Sequence, residues 1–312
     1  MLRKPVFCLA LAGFLLPFGG PAMAAPVPPT CQTLAGRLAT VIGHGDIVDT
    51  PALKVDTTSD SCTFRNLQIN SGRITGWSAN RITLTSPGIG EAASGKFPKV
   101  LRIDITGIRF HIRIDDTHAR YLNEAVQRGF DIHLSYEWDD QARQLHVREA
   151  TLESPWIGRA SLAADFDLAG AQHVPDDLRD DRGIALRRVH FVLDNRAIVE
   201  SMMLPLLVGL IPKDKDPAVE FPKIQHMIER QARALPRAQA DDASKDALIR
   251  FMRDFPHPTG HFEETLSFDQ PLGLDALSTD KKAKWLRNAH IEAVYSPTPT
   301  PNAPSTSEGF EE

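Results

Sequence analysis

The side chains in this sequence that are best suited to chemistry are histidines close to other ligand-type residues. His257 and His261 have the H-x3-H spacing of a zinc site, but Pro258 and Gly260 lie between them. Such a segment is a loop and lacks the fixed ligand geometry that a helix provides. Segment 111–118 holds two histidines and two aspartates at the end of a predicted strand, where a polar turn and a helix N-cap account for them. We therefore predict no metal site and no cofactor.

Motifs for nucleophilic catalysis and nucleotide binding give no site either. The sequence contains no G-x-S-x-G, no P-loop and no G-x-G-x-x-G. Ser278 and Lys281 match S-x-x-K, but this pattern is short, and capping a helix is the expected role of Ser278. The acidic segment 176–181 lacks the glycine of a calcium loop, so we predict a solvated turn. No catalytic residue is predicted.

Composition and charge are those of an ordinary globular protein. The 312 residues are 42% hydrophobic and 24% charged, which excludes disorder throughout the chain. Lysine and arginine number 35 against 40 acidic residues, for a formal net charge of −5. This charge provides no basic surplus for a phosphate backbone, so no nucleic-acid partner is predicted.

Residues 1–24 have the three parts of a secretory signal peptide. Arg3 and Lys4 precede an apolar run over 5–18, and a small-x-small cleavage site follows at 22–24. We predict cleavage before Ala25 and a periplasmic protein. No later segment approaches about 20 consecutive apolar residues, so no transmembrane span is predicted in the mature chain.

Two of the three cysteines, Cys31 and Cys62, lie after the predicted cleavage site. In an oxidising compartment such a pair is expected to form a disulfide. A redox enzyme would need a close C-x-x-C, which the sequence lacks. The predicted disulfide joins a first helix, capped by Thr30, to a strand containing Cys62.

Alternating apolar residues predict long β-strands in the region 45–195. Two runs alternate without a break, at 130–138 and at 160–168. Others slip by one residue, at 106–107, 147–150, 186–189 and 64–67, and each slip indicates a β-bulge. The predicted fold class is α+β, with a long, curved, bulged antiparallel sheet.

The last third of the chain, 196–295, is predicted to be richer in helix. An apolar segment over 198–211 is interrupted by Pro205, and two amphipathic helices follow near 224–235 and 248–255. Strands are predicted at 262–268 and 291–295, and a helix near 281–287. We expect these helices to pack on the apolar face of the sheet, within a single domain over 25–295. The Pro/Thr/Ser-rich tail, 296–312, is predicted to be disordered.

The apolar segment 198–211 provides the only candidate binding residues. Met202 and Met203 stand beside leucines, and methionine adapts to flexible apolar partners such as an acyl chain. The alternative is a helix simply buried against the sheet. The candidate ligand-binding residues are Ile198, Met202, Met203, Leu206, Leu207 and Leu210.

The order of elements over 185–295 resembles that of uncharacterised periplasmic proteins of alphaproteobacteria. It includes a strand ending in Leu193-Asp194-Asn195-Arg196, an apolar helix, and the later sequence Pro271-Leu272-Gly273-Leu274. More distantly, the long strands with one apolar face resemble AsmA-type and tubular lipid-binding envelope proteins. This resemblance implies an envelope role and lipid contact, but it transfers no site residue. AsmA-type proteins keep an N-terminal membrane anchor, whereas this chain has a predicted cleaved signal peptide.

The function expected from these features is non-catalytic binding of a hydrophobic small molecule or lipid between the sheet and the helices. The first alternative is a structural or interaction protein of the envelope with a fully packed core. The second alternative is a hydrolase whose dispersed catalytic residues form no motif.

Overall fold

The computed structural model describes residues 31, 33–34, 46–47, 54–70, 75–94, 98–112, 128–168, 184–211, 214–273 and 288–298. They contain one antiparallel sheet of eleven strands, in which each strand from β3 to β10 pairs with the next along the chain. The strands are β1 (Asp46–Ile47), β2 (Lys54–Thr57), β3 (Ser61–Asn70), β4 (Thr75–Thr85), β5 (Val100–Ile112), β6 (Phe130–Asp139), β7 (Gln144–Ser154), β8 (Gly158–Leu168), β9 (Ile184–Asn195), β10 (Gly260–Gly273) and β11 (Ala289–Ser296). The short strands β1 and β2 both pair with β3.

The alternation that predicted the strands is visible in their burial. In β11 every second residue is buried, from Ala289 to Tyr295, and the residues between them are exposed. One side of the sheet is therefore apolar, and we call it the apolar face. The opposite side carries most of the charged residues of the strands and is called the polar face.

Three of the four predicted bulges are confirmed. The strand register shifts between Ile105 and Ile108 and between Val147 and Ala150. It also shifts between Leu186 and Arg188 of β9, where Arg187 is the extra residue. At the fourth position, 64–67, the prediction of an extra residue is wrong. Strands β3 and β4 keep their register there, and Asn66 instead adopts a left-handed conformation with φ 55°.

Besides the helical residues Cys31, Thr33 and Leu34, four α-helices and one turn of π-helix accompany the sheet in the described ranges. They are α1 (Ile89–Ser94), the π-helical turn (Val199–Met203), α2 (Leu204–Leu210), α3 (Pro217–Ala234) and α4 (Asp242–Asp254). Asp216 and Asp241 cap α3 and α4, because each side chain accepts a hydrogen bond from a backbone N–H of the first turn. Helix α1 lies between β4 and β5.

The outer edge of β11 is covered in the described structure. The backbone N–H of Ile291 donates to the carbonyl oxygen of Gln239 at 2.7 Å, and that of Ala293 donates to Ser244 Oγ at 3.2 Å. These bonds occupy donors that would otherwise be available to another strand. The segment around α4 therefore closes this edge of the sheet.

Cys31 and Cys62 come together as the sequence predicted. Their sulfur atoms lie 1.96 Å apart, at disulfide-bonding distance, and their Cα atoms are 5.5 Å apart. Both residues are buried among the apolar side chains of β3 and β4.

Several sequence-based predictions fall outside the described residues. They are the signal peptide, the acidic turn at 176–181, the helix near 281–287, and all of the C-terminal tail beyond Thr298. Among the helices that the structure describes, none is long and apolar enough to cross a membrane.

Candidate functional site

A single row of side chains crosses nine strands on the apolar face. We call it the central row, and each member is the register partner of the next. The central row consists of Cys62, Leu84, Ile103, Leu134, Ala150, Leu162, Phe191, Glu264 and Ala293. Eight of the nine side chains are apolar or, in Cys62, disulfide-bonded, and only one is charged.

Burial changes along this row. Cys62 and Leu84, at the β3 end, are 2% and 4% exposed. The members on β7 to β10, from Ala150 to Glu264, are only half-buried. The central row is therefore buried at β3 and β4 and partly accessible from β7 to β10. Beside it on the same face, Val147 of β7 and Ala164 of β8 are buried.

The row beside the central row carries an aromatic cluster. Phe262 of β10 stacks on Phe251 of α4, with 4.2 Å between ring centroids, and Phe251 meets Tyr295 of β11 edge-on at 5.4 Å. The hydroxyl of Tyr295 donates to Asp254 at 2.7 Å. Burial and this hydrogen bond both raise the pKa of the Tyr295 hydroxyl, so it remains a neutral donor at any physiological pH.

The candidate residues of segment 198–211 fall into three groups. Ile198 is only 4% exposed and belongs to the packed cluster around Phe262. Met203 and Leu207 are half-buried against the same cluster, and Met202 is half-buried as well. The side chains of Leu206 and Leu210 lie outside the described part of the structure.

Asn195, the last residue of β9, fixes where this segment begins. Its Oδ1 accepts a hydrogen bond from the backbone N–H of Val199 at 3.1 Å, and its Nδ2 donates to the carbonyl oxygen of Pro258. Asn195 and Val199 are both buried. One side chain thus connects the end of β9, the π-helical turn and the loop before β10.

Glu264 is the charged member of the central row and is not among the candidate residues predicted from the sequence. Its register partners are Phe191 on β9 and Ala293 on β11, and Phe262 and Leu266 are its same-face neighbours along β10. A signal was present in the sequence, because Glu264 alternates in phase with Phe262, Leu266 and Phe268. Desolvation raises the pKa of the Glu264 carboxyl above its ordinary 4.5.

The polar face carries histidine–carboxylate pairs that the sequence also did not reveal. His133 pairs with Asp104 and His146 with Asp165, each at 2.6 Å, and His261 pairs with Asp194 at 2.7 Å. The hydrogen bond that His261 donates to Asp194 raises the pKa of His261. The pairs join residues on neighbouring strands and form no group of three metal-ligating side chains among the described residues.

Two depressions lie on the outer surface of α3 and α4, with volumes of about 600 Å³ and 810 Å³. Arg233 and Arg253 contribute to both of them, and the other lining residues are mostly charged or polar. Neither depression includes a candidate residue of segment 198–211. Their lining lacks the apolar character of a typical small-molecule site.

Comparison with known proteins adds no assignment. No protein-family model matches the sequence, and no curated protein matches it at a significant level.

Proposed function

We propose that this protein is a non-catalytic binding protein for a hydrophobic or lipid-like ligand, which lies against the apolar face along the half-buried part of the central row. The observation that carries the proposal is the change in burial along that row. Large contiguous apolar surfaces that stay partly accessible are uncommon in monomeric proteins and typically mark binding sites.

The C-terminal helices complete the proposed site. We infer that they pack across one end of the apolar face, which is supported by the stacking of Phe251 on Phe262. Met203 and Leu207 then border the accessible part from the helix side. Methionine suits this position because its flexible side chain adapts to an apolar ligand.

The proposed location of the protein is the periplasm, where the predicted signal peptide would deliver it. The pairing of Cys31 with Cys62 supports this, because disulfides persist in oxidising compartments.

The first test is native mass spectrometry of the mature protein, purified from the periplasm without detergent and then extracted for lipids. We expect a stoichiometric apolar compound, present in the native mass and lost on denaturation. An apo mass would favour the alternative of an envelope protein with a packed core.

A second test places the same bulky residue on the two faces of one strand. Ala160 is half-buried on the apolar face of β8, and Ala163 is half-buried on its polar face. We expect Ala160→Phe to weaken binding of the fluorescent apolar probe N-phenyl-1-naphthylamine by about tenfold, because overpacking a site costs about 1–3 kcal/mol. Ala163→Phe should change binding less than about twofold, the effect expected of a substitution outside the site. Equal effects of the two variants would contradict the proposed site.

A further inference from the structure

Glu264 occupies an unusual position for an acidic residue. It is the only charged side chain that the described parts of β6 to β11 direct to the apolar face. It lies between the two apolar clusters of the protein, since Leu266 packs with one and Phe262 with the other. A carboxyl group at this point interrupts an otherwise apolar surface at its half-buried part.

Nothing in the described structure satisfies this carboxyl group. No hydrogen bond or ion pair reaches Glu264 from the described residues, and desolvation alone accounts for its raised pKa. Two charged side chains of the neighbouring helix α4, Arg250 and Asp254, are engaged elsewhere. Arg250 donates to the backbone carbonyl of Tyr295, and Asp254 accepts from the Tyr295 hydroxyl. On β9 and β11 the register partners of Glu264 are apolar.

An unpartnered polar group on an apolar surface costs free energy unless something binds it. The charged form of a carboxyl would be more costly there than the neutral form. A neutral carboxyl donates through its O–H and accepts through its carbonyl oxygen. Its complement is a ligand with an apolar body and an uncharged hydrogen-bond acceptor. A cationic ligand fits less well, because pairing it with Glu264 would desolvate two charges.

We propose that Glu264, placed between the apolar register partners Phe191 and Ala293, recognises the ester carbonyl of a neutral acyl lipid by donating a hydrogen bond to it, while the acyl chain lies along the central row. This inference rests on the proposed binding function and adds the ligand class. In this arrangement Glu264 determines specificity, and the apolar side chains around it supply most of the affinity.

The test compares two probes that differ only at the recognised atom. They are 1-oleoylglycerol, an ester, and its ether analogue 1-O-oleylglycerol, which lacks the carbonyl oxygen. Affinities are measured on the mature protein by displacement of N-phenyl-1-naphthylamine. We expect the wild-type protein to bind the ester about two- to tenfold more tightly than the ether, the range that one hydrogen bond supplies.

Two variants separate recognition from folding. Glu264→Leu should bind both probes with equal affinity, because the donor is lost and the apolar surface is kept. Glu264→Gln should retain a preference for the ester, because its amide still donates a hydrogen bond. The preference of the wild-type protein should also decrease as the pH rises through the Glu264 pKa, whereas that of Glu264→Gln should stay constant.

Different results would contradict the role of Glu264 and the binding function of the protein. If the wild-type protein binds both probes equally, or if Glu264→Leu keeps the preference for the ester, the role of Glu264 is wrong and the binding function stands. If the wild-type protein binds neither glycerol probe nor N-phenyl-1-naphthylamine, the binding function itself is wrong.

Discussion

Glu264 of β10 and Phe191 of β9 are register partners, so a carboxyl group and a phenyl ring lie side by side on the apolar face of the sheet. The pairing places an acidic residue where the neighbouring strands supply only apolar groups. Its pKa is therefore raised by desolvation, and both the stability and the binding behaviour of the protein should depend on its protonation.

The stability of the protein should decrease as the pH rises from about 4.5 through the raised pKa of Glu264. Below 4.5, the ordinary pKa of this group, the carboxyl is protonated in both the folded and the unfolded chain. At higher pH the unfolded chain releases the proton more readily, which costs about 1.4 kcal/mol of stability per unit of pKa difference. Glu264→Gln should remove this dependence and be the more stable protein at neutral pH.

The measurement is urea unfolding of both proteins between pH 4 and 8. The matched control is Glu292→Gln, at an exposed residue of β11, which should stay within about 0.5 kcal/mol of the wild-type protein. If the unfolding free energies of the wild-type protein and Glu264→Gln differed by the same amount at every pH, Glu264 would not be desolvated in solution.

The pairing of Cys31 with Cys62 should stabilise the folded chain by restricting the unfolded one. The two cysteines are 31 residues apart in sequence, and the chain-entropy estimate for such a loop is about 3.5 kcal/mol. We expect the double variant Cys31→Ser/Cys62→Ser to lose about this much unfolding free energy. A reducing agent should lower the stability of the wild-type protein and leave the double variant unchanged. Equal unfolding free energies for the wild-type protein and the double variant, both measured without reducing agent, would refute the assignment of this disulfide.

Asn195→Ala should destabilise the protein by about 2–3 kcal/mol. The substitution leaves the backbone N–H of Val199 and the carbonyl of Pro258 without their side-chain partner in a buried setting, and unpaired buried groups carry their full desolvation cost. Asn288→Ala, at an exposed position, is the control and should be close to neutral. Thermal or urea unfolding measures both, and an effect of Asn195→Ala below about 0.5 kcal/mol would contradict the connecting role of this side chain.

Alanine substitutions at two glycines, Gly158 and Gly209, should change the stability of the protein in opposite directions. Gly158 begins β8 with φ +107°, and an added Cβ would lie 2.0 Å from the carbonyl oxygen of Asp194. Gly158→Ala should therefore cost at least about 2 kcal/mol. Gly209 lies in α2, where an added Cβ would meet no atom within 4 Å, so Gly209→Ala should stabilise the protein by about 0.5–1 kcal/mol. Unfolding curves for both variants test the pair, and similar effects would contradict it.

The strands and most of the bulges could be predicted because their signals are local. A strand exposes every second residue to the same side, so apolar alternation at 130–138 and 160–168 predicts strands without knowledge of their partners. A one-residue phase slip similarly predicts a bulge. The exception at 64–67 arises because a left-handed Asn66 changes the side to which the following side chains point without an extra residue. In the sequence, this phase slip cannot be distinguished from the slip that a bulge produces.

The sequence by itself determined the α+β class, the apolar segment at 198–211 and the candidate cysteine pair. It also contained the phase that places Glu264 among apolar residues. Only the tertiary structure decided that Glu264, Phe191 and Leu162 belong to one row, because strand register joins residues that are far apart in the chain. The physical reason is that alternation specifies the side of a strand on which a residue lies, whereas its neighbours across the sheet depend on turns, bulges and packing.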